Sequence, residues 1–440
     1  MRKKIIVRGP FLSQSGYGEQ ARFALRSLRA HQDKFDIHLI NVGWGRTGWI
    51  LEDNEERQWI DELIRRTQIY LQEHNNAPPT FDVSLQITVP NEFEKIAHFN
   101  IGYTAGIETT KAAPEWIDKC NVMNRLIVPS AHSKEILETT KYRVKINEKE
   151  ERELKTHCPI DVVSYPVRLT KPSSLPLELE SSFNFLSVAQ WGPRKNIEST
   201  ISGFINEFIN EPDVGLIVKT NASKNCLMDK VVVEKKLSSF VDSVVNGRKR
   251  QCKIYFIHGN LSEEEMAALY THPTVKAFIT TTHGEGFGLP IFEAVCNGLP
   301  VIAPCWSGHT DFLFAPKRDK ETGKVKNKAF FTKIDFDIAG VQKDAVWPGM
   351  IQEDSQWCFV KNYSVRSTMR DVFKNHGTAL SQAKKLKEHT LQTLTLDNQY
   401  NKFVKSILDT LPKEEIQSNT FSREEQKLQA NNILDDIIGL

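Results

Sequence analysis

The sequence predicts an α/β protein made of two Rossmann-like, doubly wound domains that face each other across a cleft. Three observations predict this. Short β-branched runs alternate with longer amphipathic segments along most of the 440 residues, and such alternation gives parallel sheets covered by helices on both faces. The alternation breaks once, at Leu169-Thr-Lys-Pro-Ser-Ser-Leu-Pro176, a Pro/Ser stretch suited to a linker. The length also fits two or three domains of about 100–200 residues each. In open α/β sheets ligands bind beyond the carboxyl ends of the strands, so two facing sheets place a site between them.

The elements follow in order. In the first half, strands are expected over residues 4–7, 36–42, 81–87, 101–103, 125–128 and 161–165, with helices over 19–31, 55–74 and 131–140. In the second half, strands are expected over 184–189, 214–219, 253–257, 276–280 and 300–303, with helices over 196–209, 230–245, 263–270 and 289–297. Ser262 with Glu265 three residues on forms a capping box before the third of these. Two further helices are expected over 364–387 and 396–411. The domain division is then 1–168 for an N-terminal acceptor domain, 169–182 for the linker and 183–388 for a C-terminal donor domain. A helix within 389–411 crosses back toward the first domain, and 412–440 forms a tail suited to partner binding or homo-oligomerisation.

Composition narrows the function. Hydrophobic residues are 40% and charged residues 25%, with a net charge of +2, which suits a soluble enzyme and excludes a polyanion-coating protein. No nucleic-acid reading motif is present. No run approaches the ~18 apolar residues of a membrane span, and the basic start at Met1-Arg-Lys-Lys leads into a three-residue apolar run that reads as a first strand. Seven scattered cysteines without a C-x-x-C pair argue against a disulfide framework and a zinc site, and for a reducing, cytoplasmic location. The segment 317–328 carries six basic residues against two acidic ones. A solvated hairpin is expected there, and contact with an anionic acceptor or the inner face of a membrane stays open.

The most informative stretch is Thr282-His-Gly-Glu-Gly-Phe-Gly-Leu-Pro-Ile-Phe-Glu293. A strand ends near Thr282 and a glycine-rich turn opens a helix at Leu289. Gly286 and Gly288 suit a tight turn or close approach to a ligand, and the N–H groups at the helix start suit a phosphate. Glu285 in the turn and Glu293 one helical turn inside are two carboxylates flanking that phosphate site, and each can accept from a pair of vicinal hydroxyls. This combination suits a nucleotide sugar, one carboxylate for the sugar and one for the ribose.

Glu285 and Glu293 within E-G-F-G-L-P-x-x-E-A, followed by Asn-Gly-Leu-Pro-Val-Ile-Ala, resemble the E-x7-E signature of family 4 retaining glycosyltransferases, which have the GT-B fold. The resemblance implies a donor site formed by Glu285, Gly286, Phe287, Gly288, Leu289 and Glu293. Upstream, Trp191-Gly-Pro-Arg194-Lys195-Asn196 is similar to the family's basic pair, which implies Arg194 and Lys195 on the donor diphosphate. Two cations at a strand end can also neutralise a departing diphosphate on physical grounds. Gly16 and Gly18, between the first strand and its helix, resemble the family's glycine loop facing the donor phosphates. Glu108, in Ile101-Gly-Tyr-Thr-Ala-Gly-Ile-Glu108-Thr-Thr, falls where many members have a histidine near the reacting sugar, and His98 precedes the strand instead. Trp306-Ser-Gly-His-Thr-Asp311 corresponds to a loop that closes on the donor, with His309 and Asp311 as binding or capping candidates. Lys219 and the tryptophans Trp44 and Trp49 are weaker candidates for the cleft.

The expected catalytic group is therefore Glu285, Arg194, Lys195 and Glu108, without a metal or other cofactor. The expected partners are a UDP- or GDP-sugar donor and a glycan or lipid-linked acceptor. Two other readings stay open: a GT-B-fold sugar-nucleotide epimerase, and a catalytically weak nucleotide- or glycan-binding subunit.

Overall fold

The computed structural model describes residues 2–74, 80–147, 150–319 and 321–412; the tail expected over 412–440 lies, after its first residue, outside them. The first half runs β1 (Lys3–Gly9), α1 (Gly16–Arg29), β2 (Phe35–Asn41), α2 (Glu55–Glu73), β3 (Val83–Gln86), β4 (Phe99–Tyr103), α3 (Pro114–Cys120), β5 (Arg125–Val128), α4 (Ala131–Thr139), β6 (Tyr142–Asn147), β7 (Glu150–Leu154) and β8 (Ile160–Val162). Six of these strands form one parallel sheet in the order β2-β1-β3-β4-β5-β8. Ile5, Ile6 and Val7 are wholly buried, as a strand covered on both faces requires.

The second half runs β9 (Phe183–Val188), α5 (Ile197–Phe208), β10 (Val214–Lys219), α6 (Leu227–Val245), β11 (Lys253–Ile257), α7 (Glu263–Thr271), β12 (Val275–Ile279), α8 (Leu289–Asn297) and β13 (Val301–Pro304). It continues through β14 (Phe314–Arg318), β15 (Val325–Ala329), β16 (Thr332–Ile334), β17 (Phe336–Gly340), β18 (Gln356–Val360), α9 (Asn362–Lys374), α10 (His376–Thr393) and α11 (Leu396–Leu408). Its parallel sheet has the order β11-β10-β9-β12-β13-β16. The strand order reverses between β1 and β3 in the first sheet and between β9 and β12 in the second. These are the switch points at which such sheets open a crevice.

Helix starts are set by local chemistry. Ser15 caps α1, Asn54 caps α2, Ser130 caps α4 and Thr395 caps α11 through side-chain oxygens, each worth about 1 kcal/mol. The Ser262–Glu265 capping box opens α7 as expected. Around the basic segment, β14 and β15 pair antiparallel, Phe314–Arg318 against Val325–Ala329.

Three features differ from the sequence expectation. The helix expected over 364–387 is two helices: Asn375 leaves the helical region (φ −113°, ψ 32°) and caps α9 through its N–H to Asp371 O, which turns α10 onto α8. The strand expected over 161–165 ends at Val162. Helix α3 and the hairpins β6–β7 and β17–β18 had no expected counterpart; each strand of these hairpins is five or six residues long, too short for a clear period. Helix α11 packs on α1 of the first domain, with the Phe403 and Phe23 rings 5.4 Å apart and His31 Nε2 2.9 Å from Asn401 Oδ1.

Candidate active site

The site grows from the two central strands of the second sheet. After β9 the chain makes a 3-10 turn over Pro193–Lys195 and then places Asn196 in the left-handed region (φ 49°, ψ 42°), a conformation asparagine tolerates. Three hydrogen bonds stitch this loop to the one after β12: Asn196 Nδ2 to Thr281 O (3.0 Å), Thr281 Oγ1 to Asn196 O (2.6 Å) and His283 N–H to Arg194 O (2.8 Å). Residues about ninety positions apart are thereby locked side by side.

This stitching brings Arg194, Lys195 and Glu285 together. Lys195 Nζ lies 2.6 and 2.7 Å from the two Glu285 carboxylate oxygens, and Arg194 Nη1 lies 3.2 Å from Oε2 while also donating to Gly284 O (2.9 Å). Arg194 Nη2 reaches across the cleft to Glu108 Oε1 at 3.5 Å. Only 9% of the Glu285 side chain is exposed. Burial raises its carboxyl, but Lys195 and then Arg194 outweigh that and hold it at about 2. Burial, then Arg194, lower the Lys195 ammonium. The result is a charged, hydrogen-bonded cluster of two cations with two carboxylates.

The turn after β12 is shaped by close backbone approach. A Cβ on Gly286 would sit 2.3 Å from Ala105 O of the first domain, so only glycine fits. Gly288 precedes α8 with φ +97°, again a glycine conformation. The first turn of α8, which begins four residues after Glu285, leaves N–H groups without helical partners. The Phe287 ring points elsewhere, packing among Tyr165, Phe292 and Phe312. Glu293 is solvent-accessible and accepts from Tyr270 Oη (2.8 Å). Partial loss of hydration beside the protein, reinforced by Glu19 and Glu263 and opposed by Tyr270 and Lys219, raises its carboxyl to about 7.

The other sequence candidates take up varied places. A Cβ on Gly18 would overlap Ser13 O at 1.9 Å, whereas Gly16, at the start of α1, has open space around it. Asp311 accepts from Ala131 N–H (2.7 Å), capping α4 of the opposite domain. His309 is buried with Nε2 2.8 Å from Pro304 O. Lys219 donates to Gly259 O (3.2 Å). Trp44 packs on Tyr17 with ring centroids 4.3 Å apart, and Trp49 is 43% exposed.

Two residues at the site carried no clear sequence signal. His132 lies edge-on to Trp306 (5.1 Å), and burial followed by His309 lowers it to about 4, so it is neutral at pH 7. Ser307 accepts from Glu285 N–H (2.9 Å) while holding φ 75° and ψ −165°. Among the described residues no three His, Cys, Asp or Glu side chains are placed to hold a metal ion, and no helix is long and apolar enough to cross a membrane. All seven cysteines are free.

No family model matches the chain. In sequence it is similar to the serotype-specific mannosyltransferase WbdA of Escherichia coli, at 28% identity over 119 residues, a stretch that is 27% of this chain and only 13% of that protein. In structure it is similar to sucrose-phosphate synthase from Thermosynechococcus elongatus (TM-score 0.59, 11% identity, 93% of this chain and 99% of the other). It is also similar to Anabaena HepE in complex with UDP-glucose (TM-score 0.55, 13% identity, 93% and 100%). A third likeness is to a mutant of S. aureus TarM in complex with Fondaparinux, alpha-GlcNAc-glycerol and UDP (TM-score 0.55, 11% identity, 92% and 99%). These parallel-sheet domains, matched over nearly the whole chain, have the GT-B fold, and the proteins they are similar to are glycosyltransferases.

Proposed function

We propose that the chain is a retaining, metal-independent glycosyltransferase that moves a sugar from a UDP- or GDP-sugar to a hydroxyl of a glycan or lipid-linked acceptor. The observation that carries this reading is the cluster of Arg194 and Lys195 on Glu285 beside the start of α8, with Glu108 opposite. In this reading the two cations and the α8 N–H groups hold the diphosphate and stabilise its charge as the glycosidic bond breaks. Glu285, kept ionised, orients the sugar hydroxyls, and Glu293 takes the ribose hydroxyls. The acceptor hydroxyl attacks from the face the diphosphate leaves, and its proton passes to the departing phosphate oxygen. Glu108 stands on the acceptor side, in the place of the histidine found in similar enzymes. Two fixed cations supply the charge that a divalent metal supplies elsewhere. Free thiols throughout support a cytoplasmic setting.

The test is a thermal-shift screen against nucleoside diphosphates and their sugars, followed by product analysis with an acceptor panel. A specific diphosphate at 100 times its dissociation constant adds about 2.7 kcal/mol of stability. An isomerised nucleotide sugar without acceptor would favour an epimerase, and binding without turnover across the panel would favour a binding subunit.

A further inference from the structure

The hairpin β17–β18 and its connection over 341–355 touch both carboxylate-bearing segments of the cleft. On the donor side, Cys358 N–H donates to His283 O (3.0 Å) and His283 Nδ1 donates to Cys358 O. That tautomer leaves Nε2 as the acceptor for the Gln342 amide at 3.2 Å. The imidazole also lies flat on the wholly buried Trp357, with ring centroids 4.8 Å apart and planes at 14°. His283 stands two residues before Glu285.

On the acceptor side, Thr110 N–H donates to Gln356 O and Gln356 N–H donates to Thr110 Oγ1, both at 2.9 Å. Lys111 pairs with Asp354 beside them. Thr110 stands two residues after Glu108. Between the two ends the connection is closed by reciprocal bonds between Trp347 and Ile351, 3.1 and 2.8 Å long, around Gly349 at φ +76°. A Cβ on Gly349 would lie 3.0 Å from Glu115 Oε2 of the first domain.

The two loops also meet directly, with Gly284 packed against Glu108 O and Gly286 against Ala105 O, but that contact limits how closely they approach and carries no directional bond between them. The ion pair between them, Arg194 to Glu108 at 3.5 Å with both side chains more than a quarter exposed, is weak and screened, so the directional bonds that fix the register of the loops are those of the hairpin. We propose that the hairpin is a strap that positions Glu108 against Glu285, with Thr110 and Gln342 as positioning residues at its two ends. The strap itself touches no reacting atom; it acts through the backbone of the two loops. This rests on the reading of Glu108 and Glu285 as facing the reacting sugar.

The test uses the full chain with Thr110→Val, Thr110→Ser and Gln342→Leu. Hydrogen exchange is followed at the amides of 107–111 and 283–286, alongside steady-state kinetics with the donor selected above. Exchange is expected to rise several-fold at the end opposite each change, within the range of coupled sites. Thr110→Ser, which keeps the accepting oxygen, is expected to match wild type. In Thr110→Val, kcat is expected to fall about tenfold from loop misplacement, with donor KM within about twofold. Exchange that rises only at the altered end, or unchanged kcat in Thr110→Val, overturns the proposal. If Gln342→Leu fails to fold, the Thr110 pair carries the same comparison. Far-end coupling in the variants together with no sugar transfer by the wild-type chain overturns the functional reading and leaves the strap standing.

Discussion

Replacing Ser307 by glycine and by alanine should separate backbone strain from hydrogen bonding at the heart of the site. Ser307 sits at φ 75° and ψ −165°, a region that only glycine enters freely and that costs other residues about 1–3 kcal/mol. Its Oγ accepts the Glu285 N–H at 2.9 Å in a buried setting. Both variants lose that acceptor and leave a buried donor unpaired, a loss of about 1–3 kcal/mol. Alanine keeps the strain. Glycine relieves it, against about 0.5–1 kcal/mol of extra chain freedom in the unfolded state. Ser307→Gly is therefore expected to be more stable than Ser307→Ala by about 1–2 kcal/mol, the reverse of the usual order. For a domain of roughly 200 residues that is a Tm difference of about 2–8 °C, readable by calorimetry. Both variants are expected to transfer sugar about five- to tenfold more slowly, the equivalent of one hydrogen bond at Glu285. An alanine variant as stable as the glycine one would refute the strain argument. Wild-type kcat in both would refute the part played by the hydroxyl.

The remaining expectations concern charge. Lys195→Ala removes the closest cation on Glu285 and is expected to reduce transfer by at least about a hundredfold at subsaturating donor, with circular dichroism unchanged; near wild-type turnover would sink the assignment. Glu293, raised to about 7, is protonated below that pH and ionised above it, so donor affinity is expected to rise as pH passes 7. Because its folded pKa is the higher one, its contribution to stability falls as pH rises from the ordinary carboxyl range to about 7 and is constant beyond. Glu293→Gln is expected to flatten the affinity trend in calorimetric titrations at pH 6, 7 and 8 and the stability trend in thermal unfolding between about pH 4.5 and 7; phosphate titration is common to the two proteins, so identical slopes would rule Glu293 out. Transfer is expected to continue in excess EDTA, and activity lost there and restored by magnesium or manganese would contradict metal independence.

What could be read from the sequence and what could not follows one physical division. Ser262 and Glu265 act on the helix that follows them, Gly288 acts on its own φ, and Ile5–Val7 are buried by their own strand. Each of these effects spans a few residues, so its signal lies in a few neighbouring letters. The glycines and carboxylates of the turn before α8 belong to the same class, which is why the candidate site was visible as a short block. Other features depend on partners far away in the chain. Glu108 meets Arg194 because β4 and β9 belong to different sheets whose ends face one another. Asp311 caps α4 from the opposite domain. The β17–β18 pairing joins two five-residue strands across fifteen intervening residues, where neither strand is long enough to show alternation. Ser307 is the sharpest case, since its strain is tolerable only because the fold places a backbone donor within reach of its hydroxyl. Local rules thus specify each loop, and the facing of loops adds the contacts on which positioning depends. The same division predicts where substitutions will do most while showing least in the sequence: at Thr110, Ser307 and Gln342, none of which lies in the glycine-rich block.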